Sequence, residues 1–413
     1  MPKKTIRDID VQGKKVLLRV AYDISLKEKD GKWIVPDDSR IKATLPTIEY
    51  LLEKDCSLVL LSWLKRPEGK VVDKFRMDPV AEKLSELIKR PVKKMDDCVG
   101  PEVEKAVADL KPGEIIMLEN VRFHPEEQKE DAEFSRKLAS LGDLIVFDAF
   151  AQAHRVHSST TGILKQGKEV VAGFLMEKEL DVLSKMLNNP ARPFTVVLGG
   201  AKISDKLETT NNLLSLADSI LIGGAMANAF LKAQNVDIQG SFVEDVGIDA
   251  TKTASESAKD LLEKTADKTS FQGGDFIQLP LDLVAANSIE APTENKVVDI
   301  NKKETLPEKW TYLDIGPQTI EEYRKIISAS KTVFWNGPMG LFEEAEFAKG
   351  TKEIADAIIN SGATSIVGGG DTEKIVKMFN LEGKFTHVST GGGASLEFLS
   401  GKELPVVALL PNL

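Results

Sequence analysis

The chain has 413 residues, more than a single hydrophobic core accommodates, so two domains are expected. With 42% hydrophobic and 29% charged residues it has the make-up of a soluble globular protein. A net charge of −10 argues against general nucleic-acid binding, which needs a basic face, but leaves room for a local basic pocket. Cys56 and Cys98 are the two cysteines, with no CxxC and no ligand-like spacing, so neither a disulfide scaffold nor a zinc site is expected. The polar start at Met1-Pro2-Lys3-Lys4-Thr5 leads into no signal-like apolar run, and no stretch approaches membrane-spanning length. The expectation is a cytoplasmic protein with neither membrane nor nucleic-acid partners. Nothing such as a long heptad argues for more than a monomer.

In chain order, Val16-Leu17-Leu18-Arg19-Val20 reads as a buried strand. Asp37-Asp38-Ser39 caps a helix that runs through Leu52, with Arg40 at its start. Ser57 to Leu61 is a strand, then Pro79 to Ile88 a helix, Val92 to Met95 a short strand, and Pro101 to Leu110 a helix. Glu114 to Leu118 is a strand, Asp131 to Leu141 a helix, and Leu144 to Phe147 a strand. This alternation predicts a parallel sheet with helices on both faces, whose ligands bind beyond the carboxyl ends of its strands. Those ends carry Arg66, Arg122, His154 and Arg155, with Arg40 at the nearby helix start. An acidic chain that gathers cations at one sheet rim points to bidentate capture of carboxylate or phosphate. Pairing of each arginine with an acid such as Glu119 or Asp148 is the alternative. Of the other histidines, His124 falls in an exposed charged loop, His157 behind the His154-Arg155 pair, and His387 in a core strand.

Met176 to Leu187 has one apolar face and separates two sheet patterns, as an interdomain helix does. Beyond it the strands end in glycine: Thr195 to Leu198 in Gly199-Gly200, Ser219 to Ile222 in Gly223-Gly224, and Thr332 to Trp335 in Asn336-Gly337-Pro338-Met339-Gly340. Thr364 to Val367 ends in Gly368-Gly369-Gly370-Asp371-Thr372, and Thr386 to Ser389 in Thr390-Gly391-Gly392-Gly393. Glycines repeated at one sheet edge imply close backbone approach, as to nucleotide phosphates facing helix N-termini. After Gly199-Gly200, Ser204 and Asp205 are helix-cap candidates, and Lys202 and Lys206 lie four apart. The stretch is either a phosphate cradle or a tight turn with two solvated lysines. Asp371 is a magnesium candidate, or a helix cap, or both. Glu343 is a ribose acceptor or a solvated acid.

Taken with Arg66-Pro67, Glu119-Asn120-Val121-Arg122-Phe123, Ala153-His154-Arg155, Asp314-Ile315-Gly316-Pro317, Trp335 to Glu343, Gly368 to Thr372 and Thr390 to Leu396, the chain resembles the phosphoglycerate kinases end to end. The resemblance implies an α/β fold of two Rossmann-like domains, each a mainly parallel sheet with helices on both faces. Residues 1–174 would bind the glycerate, joined by residues 401–413 returning to that domain. Residues 175–188 would form the interdomain helix, and residues 189–400 would bind the nucleotide. It implies a hinge-closing glycolytic enzyme that moves a phosphoryl group between 1,3-bisphosphoglycerate and ADP, giving 3-phosphoglycerate and ATP, with magnesium. On the resemblance, Arg40, Lys202, Gly392 and Gly393 are catalytic, with Arg40 and the amides of Gly391 to Gly393 on the migrating group. Arg40, Arg66, Arg122, His154, Arg155, Asp23 and Trp63 face the glycerate. Gly200, Lys202, Lys206, Gly223, Gly224, Leu313, Asn336, Gly337, Met339, Glu343, Gly370, Asp371 and Thr372 serve the nucleotide, and Asp371 the metal.

Several positions depart from the family pattern. Arg-Val-Asp-Phe-Asn-Val-Pro is here Arg19-Val20-Ala21-Tyr22-Asp23-Ile24-Ser25, and Ser-His-Leu-Gly-Arg-Pro is Ser62-Trp63-Leu64-Lys65-Arg66-Pro67. The Asn-Asp-Ala-Phe motif is Phe147-Asp148-Ala149-Phe150. The departures cluster in the expected glycerate pocket. Besides an ordinary or slower kinase, they allow a scaffold that binds nucleotide with little activity, or one whose acceptor pocket takes another small molecule.

Overall fold

The computed structural model describes residues 2–244, 252–290, 292–302, 306–307 and 309–413; the Asp205 side chain, and with it the expected Asp205 cap, lies outside the description. The chain forms two compact units, Met1–Val182 with Glu403–Leu413, and Leu183–Lys402.

In the first unit, strands β1 (Lys15–Val20), β4 (Ser57–Leu61) and β7 (Leu144–Asp148) are buried almost throughout, because helices cover both faces of the sheet. With β5 (Lys93–Lys94), β6 (Ile115–Met117) and β8 (Glu169–Ala172) they form a parallel sheet in the order β5-β6-β4-β1-β7-β8. A hairpin of β2 (Lys27–Lys29) and β3 (Lys32–Ile34) lies outside this sheet. The helices are α1 (Ser39–Lys42), α2 (Leu45–Glu53), α3 (Asp78–Ile88), α4 (Pro101–Ala108) and α5 (Ala132–Ala139). The single helix expected from residue 39 through Leu52 is broken at Ala43-Thr44. Pro46 has no N–H for the Lys42 carbonyl, and its ring crowds that carbonyl. Arg40 therefore sits on a four-residue turn rather than at the head of a long helix. Asp38, expected to cap it, makes no side-chain cap bond and pairs with Lys42 at 2.8 Å instead.

Helix α6 (Phe174–Asn188) runs unbroken across the boundary between the units. The second unit carries a parallel sheet of β9 (Phe194–Leu198), β10 (Ser219–Ile222), β11 (Ile277–Gln278), β15 (Thr332–Asn336), β16 (Thr364–Gly368) and β17 (His387–Val388), ordered β11-β10-β9-β15-β16-β17. Its helices are α7 (Leu207–Leu213), α8 (Met226–Ala233), α9 (Ala254–Lys264), α10 (Pro317–Ala329), α11 (Lys349–Asn360), α12 (Gly370–Met378) and α13 (Gly393–Leu399). A smaller antiparallel sheet of β12 (Asp282–Ala286), β13 (Asn295–Asp299) and β14 (Thr311–Ile315) interrupts the alternation. Strand periodicity alone did not reveal it. It is anchored by the buried Asp282 carboxylate, which accepts from the amides of Gln318 and Thr319 at the start of α10.

The tail, with α14 (Pro405–Leu409), is tied to the first unit by backbone: Lys4 N donates to the Pro411 carbonyl at 2.9 Å and Val406 N to that of Ala153 at 3.1 Å.

Two loops at the carboxyl edge of the first sheet are locked by one buried amide. Asn120 Oδ1 accepts from the amides of Leu64 and Arg122, and Nδ2 donates to the carbonyls of Leu64 and Phe75. Replacing it leaves buried backbone groups unpaired. Asn120→Ala is expected to destabilise the protein by about 3–5 kcal/mol in urea unfolding, and a loss under ~1 kcal/mol would show that the loops are held elsewhere.

Candidate functional site

Parallel pairing brings the ends of β1, β4, β6 and β7 to one edge of the first sheet. The loops that follow present Asp23, Trp63, Arg66, Arg122, His154 and Arg155. The acids suspected of neutralising these cations are engaged elsewhere. Glu119, buried at 2% exposure, pairs with Arg76 at 3.0 Å and Lys94 at 2.6 Å, and accepts the Met77 and Asn120 amides. Asp148 accepts the Met176 amide at 2.9 Å, and burial pushes its carboxyl up to about 7. Arg40, Arg66 and Arg155 make no ion pair or side-chain hydrogen bond among the described residues. A surplus of unpaired guanidinium groups at one rim is a trap for an anion.

Behind the rim lies a group that residue spacing did not announce. Trp63 is 2% exposed, and its ring meets two guanidinium groups, at 4.5 Å from that of Arg19 and 4.1 Å from that of Arg122. The His157 ring approaches it at 5.3 Å. Arg19 is wholly buried; its Nε donates to the Ser159 carbonyl at 2.9 Å and NH1 to that of Val20, while NH2 finds no partner. Burial lowers this guanidinium to about 9, so it stays a cation at neutral pH, opposed by Glu127. Glu127 is itself buried and bonded to the Ser159 amide and hydroxyl. Arginine inside an otherwise apolar strand was the available signal, because a strand covered on both faces cannot hold a charge without a partner.

The departures from the family pattern are occupied locally. Asp23 Oδ1 accepts the Lys65 amide at 2.9 Å, Lys65 Nζ donates to Ser25 Oγ at 2.8 Å, and Arg122 NH1 donates to the Lys65 carbonyl at 2.7 Å. Lys65 holds φ +57°, a left-handed conformation natural to the glycine of the family pattern and strained by about 1–2 kcal/mol for other residues. Ala21 and Phe147 are core residues, and Tyr22 is buried with its hydroxyl on Thr44 Oγ1 at 2.6 Å.

The histidines differ in state. Burial, with Arg155 adding, lowers His154 to about 4, and burial with Arg122, Arg155 and Arg19 does the same to His157. His124 is not merely exposed: it bonds Asp97 Oδ1 at 2.7 Å and stacks on Phe134. His387 is in the core.

In the second unit the glycines of the sheet edge approach one another. Gly200 (φ +93°) donates its amide to the Pro338 carbonyl at 2.7 Å, and Gly224 to that of Met339 at 2.8 Å. A Cβ at Gly337 would lie 2.4 Å from the Gly199 carbonyl oxygen, and one at Gly223 would lie 2.6 Å from the Met339 sulfur. Close backbone approach is thus needed inside the protein as well as for any ligand. Met339 is buried, Leu313 half-buried with its carbonyl on the Leu341 amide. Asn336 Nδ2 ties β15 to the Gly368 carbonyl, and Thr372 Oγ1 accepts the Gly337 amide.

Other candidates face open space. Lys202 is exposed without a partner among the described residues. Lys206 folds back so that its amine lies 3.1 Å from where a Gly200 Cβ would stand. Ser204 is no cap for α7: its amide and hydroxyl both go to Glu244, and a 3-10 turn precedes the helix. A Cβ at Gly370 or Gly392 would meet nothing within 4 Å. Gly392 (φ +52°, ψ −117°) turns the chain into α13, where the Gly392 and Gly393 amides have no acceptor among the described residues. Asp371 is not the cap of α12, whose N-cap is Gly369; it lies in the first turn, largely exposed, paired with Lys374 at 2.8 Å. Glu343 is exposed and also acts on Lys374. An exposed lysine, open amides and one accessible carboxylate suit a polyphosphate and a cation that keeps most of its waters.

The sequence pattern of the phosphoglycerate kinase family matches residues 6–402. The chain is 47% identical to the phosphoglycerate kinase of Moorella thermoacetica over 410 residues, 99% of each chain. It is 48% identical to that of Dictyoglomus turgidum over 418 residues, the full length of both. Among solved structures it is similar to the phosphoglycerate kinase of Coxiella burnetii, with a TM-score of 0.83 and 35% identity over 99% of this chain and 98% of that one. The enzyme of Pyrococcus horikoshii gives 0.82 and 33% over 98% of each.

Without ligand, His154 and His157 are expected to titrate near pH 4 by NMR, well below the ordinary 6.5. The unfolded chain binds protons first between those values, so both residues remove stability as pH falls from about 6.5 to about 4. An anion at the rim favours the imidazolium and should raise His154, so binding near pH 5 takes up protons; titration at 6.5 in the free protein would refute the burial argument.

Proposed function

The chain belongs to the phosphoglycerate kinase family, phosphotransferases that interconvert 1,3-bisphosphoglycerate and ADP with 3-phosphoglycerate and ATP, and from that premise we propose how its residues divide the work. The rim of the first unit receives the glycerate. Arg66, Arg122 and Arg155 hold its anionic groups, His154 adds a hydrogen bond, and Arg40 takes the charge of the migrating phosphoryl. The observation that carries this assignment is the set of three arginines, Arg40, Arg66 and Arg155, without ion pairs among the described residues of an acidic chain.

The second unit receives the nucleotide. Lys202 contacts the transferring phosphoryl and Lys206 the remaining phosphates. The amides of Gly392 and Gly393 donate to equatorial oxygens of the migrating group. Gly223, Gly224, Leu313 and Met339 border the adenine, and Glu343 accepts from ribose. Gly200, Asn336, Gly337, Gly370 and Thr372 hold the backbone around the phosphates. Asp371 is the carboxylate that would hold magnesium or its waters, and the ion would supply positive charge to offset that of the phosphates. No residue need form a covalent intermediate, since this reaction asks for positioning and charge neutralisation. The substrates are small molecules, and no described helix is long and apolar enough to cross a membrane.

The assignment is tested by a coupled assay of 3-phosphoglycerate-dependent ATP turnover. Lys202→Ala should lower kcat by roughly 10²–10³ with little change in folding stability. Arg66→Ala should raise KM for 3-phosphoglycerate by roughly 10–100-fold and leave KM for ATP unchanged. Equal effects on both substrates would contradict the division of labour.

On the acceptor side, the indole of Trp63 and the Lys65 carbonyl already engage Arg122. Restoring Ala21→Asp, Asp23→Asn and Trp63→His together should raise kcat/KM for 3-phosphoglycerate by about tenfold or more. Unchanged kinetics would show the family's pocket residues to be dispensable here.

A further inference from the structure

The fold assembles a set of donor atoms that the phosphoryl-transfer assignment does not use. Asp97 and Cys98 lie on the loop between β5 and α4, and His124 follows the 3-10 turn after β6. One carboxylate oxygen, the thiol sulfur and one imidazole nitrogen from these residues lie within 4.8 Å of one another. We propose that Asp97, Cys98 and His124 form a binding site for a thiophilic divalent cation such as zinc, completed by water.

The donor chemistry is mixed sulfur, nitrogen and oxygen, the set that suits zinc rather than magnesium or calcium. Tetrahedral coordination with usual zinc bond lengths places ligand atoms ~3.2–3.8 Å apart, so the hydrogen-bonded Asp97 and His124 atoms would move apart, and any pair near 4.8 Å would draw together by about 1 Å. His124 Nε2 is 2.7 Å from Asp97 Oδ1 in a hydrogen bond that the cation would replace. The ring is held for this by stacking on Phe134 at 5.0 Å. Cys98 is fully buried, while the Asp97 side chain is 52% exposed, so a cation enters past the carboxylate and reaches the sulfur last. The surroundings are negative: Glu126 and Glu127 both act on His124. Glu126 Oε2 is buried without a hydrogen-bond partner. Binding displaces the thiol proton to solvent, because thiolate is the ligand.

The site also has a structural consequence. Asp97 accepts the Glu119 amide through its backbone carbonyl at 3.4 Å, and His124 lies two residues beyond Arg122. A cation there would staple the β5–α4 loop to the segment that presents Arg122, so it acts on stability rather than on the reacting atoms.

The test uses nucleotide-free full-length protein stripped with chelator and titrated with Zn²⁺ or Co²⁺. One equivalent should bind, raise the melting temperature, and with Co²⁺ produce a thiolate charge-transfer absorption. Cys98→Ser should abolish that absorption, and His124→Gln should weaken binding by about a hundredfold or more, beyond what loss of an outer-shell contact does. Circular dichroism establishes that each variant is folded. If Cys98→Ser does not fold, His124→Gln decides, and unchanged affinity in it overturns the proposal. So does absence of the absorption in the unsubstituted protein, or its survival in Cys98→Ser, which would place the metal on Cys56.

Discussion

Glu119 and Asn120, adjacent and buried at the end of β6, hold together what the first unit presents at its sheet edge. Glu119 gathers Arg76, Lys94 and two backbone amides, and Asn120 closes its hydrogen bonds on the loop from β4 and on Arg122. Each polar atom is satisfied inside the protein, so these bonds tie the loops together in a region without regular hydrogen-bond ladders. Because Glu119 is fully engaged there, it is not left to neutralise the arginines at the rim. The same knot carries Asp97 and His124 into reach of each other.

Behind that edge the first unit stores positive charge in an unusual way. Arg19 and Arg122 are both buried, and the face-on indole of Trp63 meets both of them. A ring quadrupole offsets part of the desolvation of two cations, and Glu127 and Asp23 supply carboxylate counter-charge to both. His154 and His157 respond by staying neutral. An incoming anion therefore meets guanidinium groups and the Asp23 carboxylate, with imidazole held in reserve as a group that gains a proton when negative charge arrives.

In the second unit the constraint is steric. Gly199, Gly223 and Gly337 have no room for a side chain because neighbouring backbone and Met339 occupy it, whereas Gly370 and Gly392 border open space. The two classes look identical in a list of glycine-ended strands. The first class sets the spacing of the sheet edge, and the second leaves amides accessible to a ligand.

The amino-acid sequence by itself determined the alternation of strands and helices, the parallel sheets, the arginines at the strand ends and the glycines at the others, because each is a local pattern of burial or backbone freedom. It also carried membership in the phosphoglycerate kinase family through long motifs in order. Only the tertiary structure decided which of those residues are free. It set Asp371 in the first turn of α12 rather than at its cap, and buried Trp63 against two arginines distant in sequence. It brought Cys98 beside His124, although cysteine spacing alone argued against a metal site. Hydrogen-bond partners, burial and donor clusters depend on contacts between segments tens of residues apart, and no local spacing encodes those.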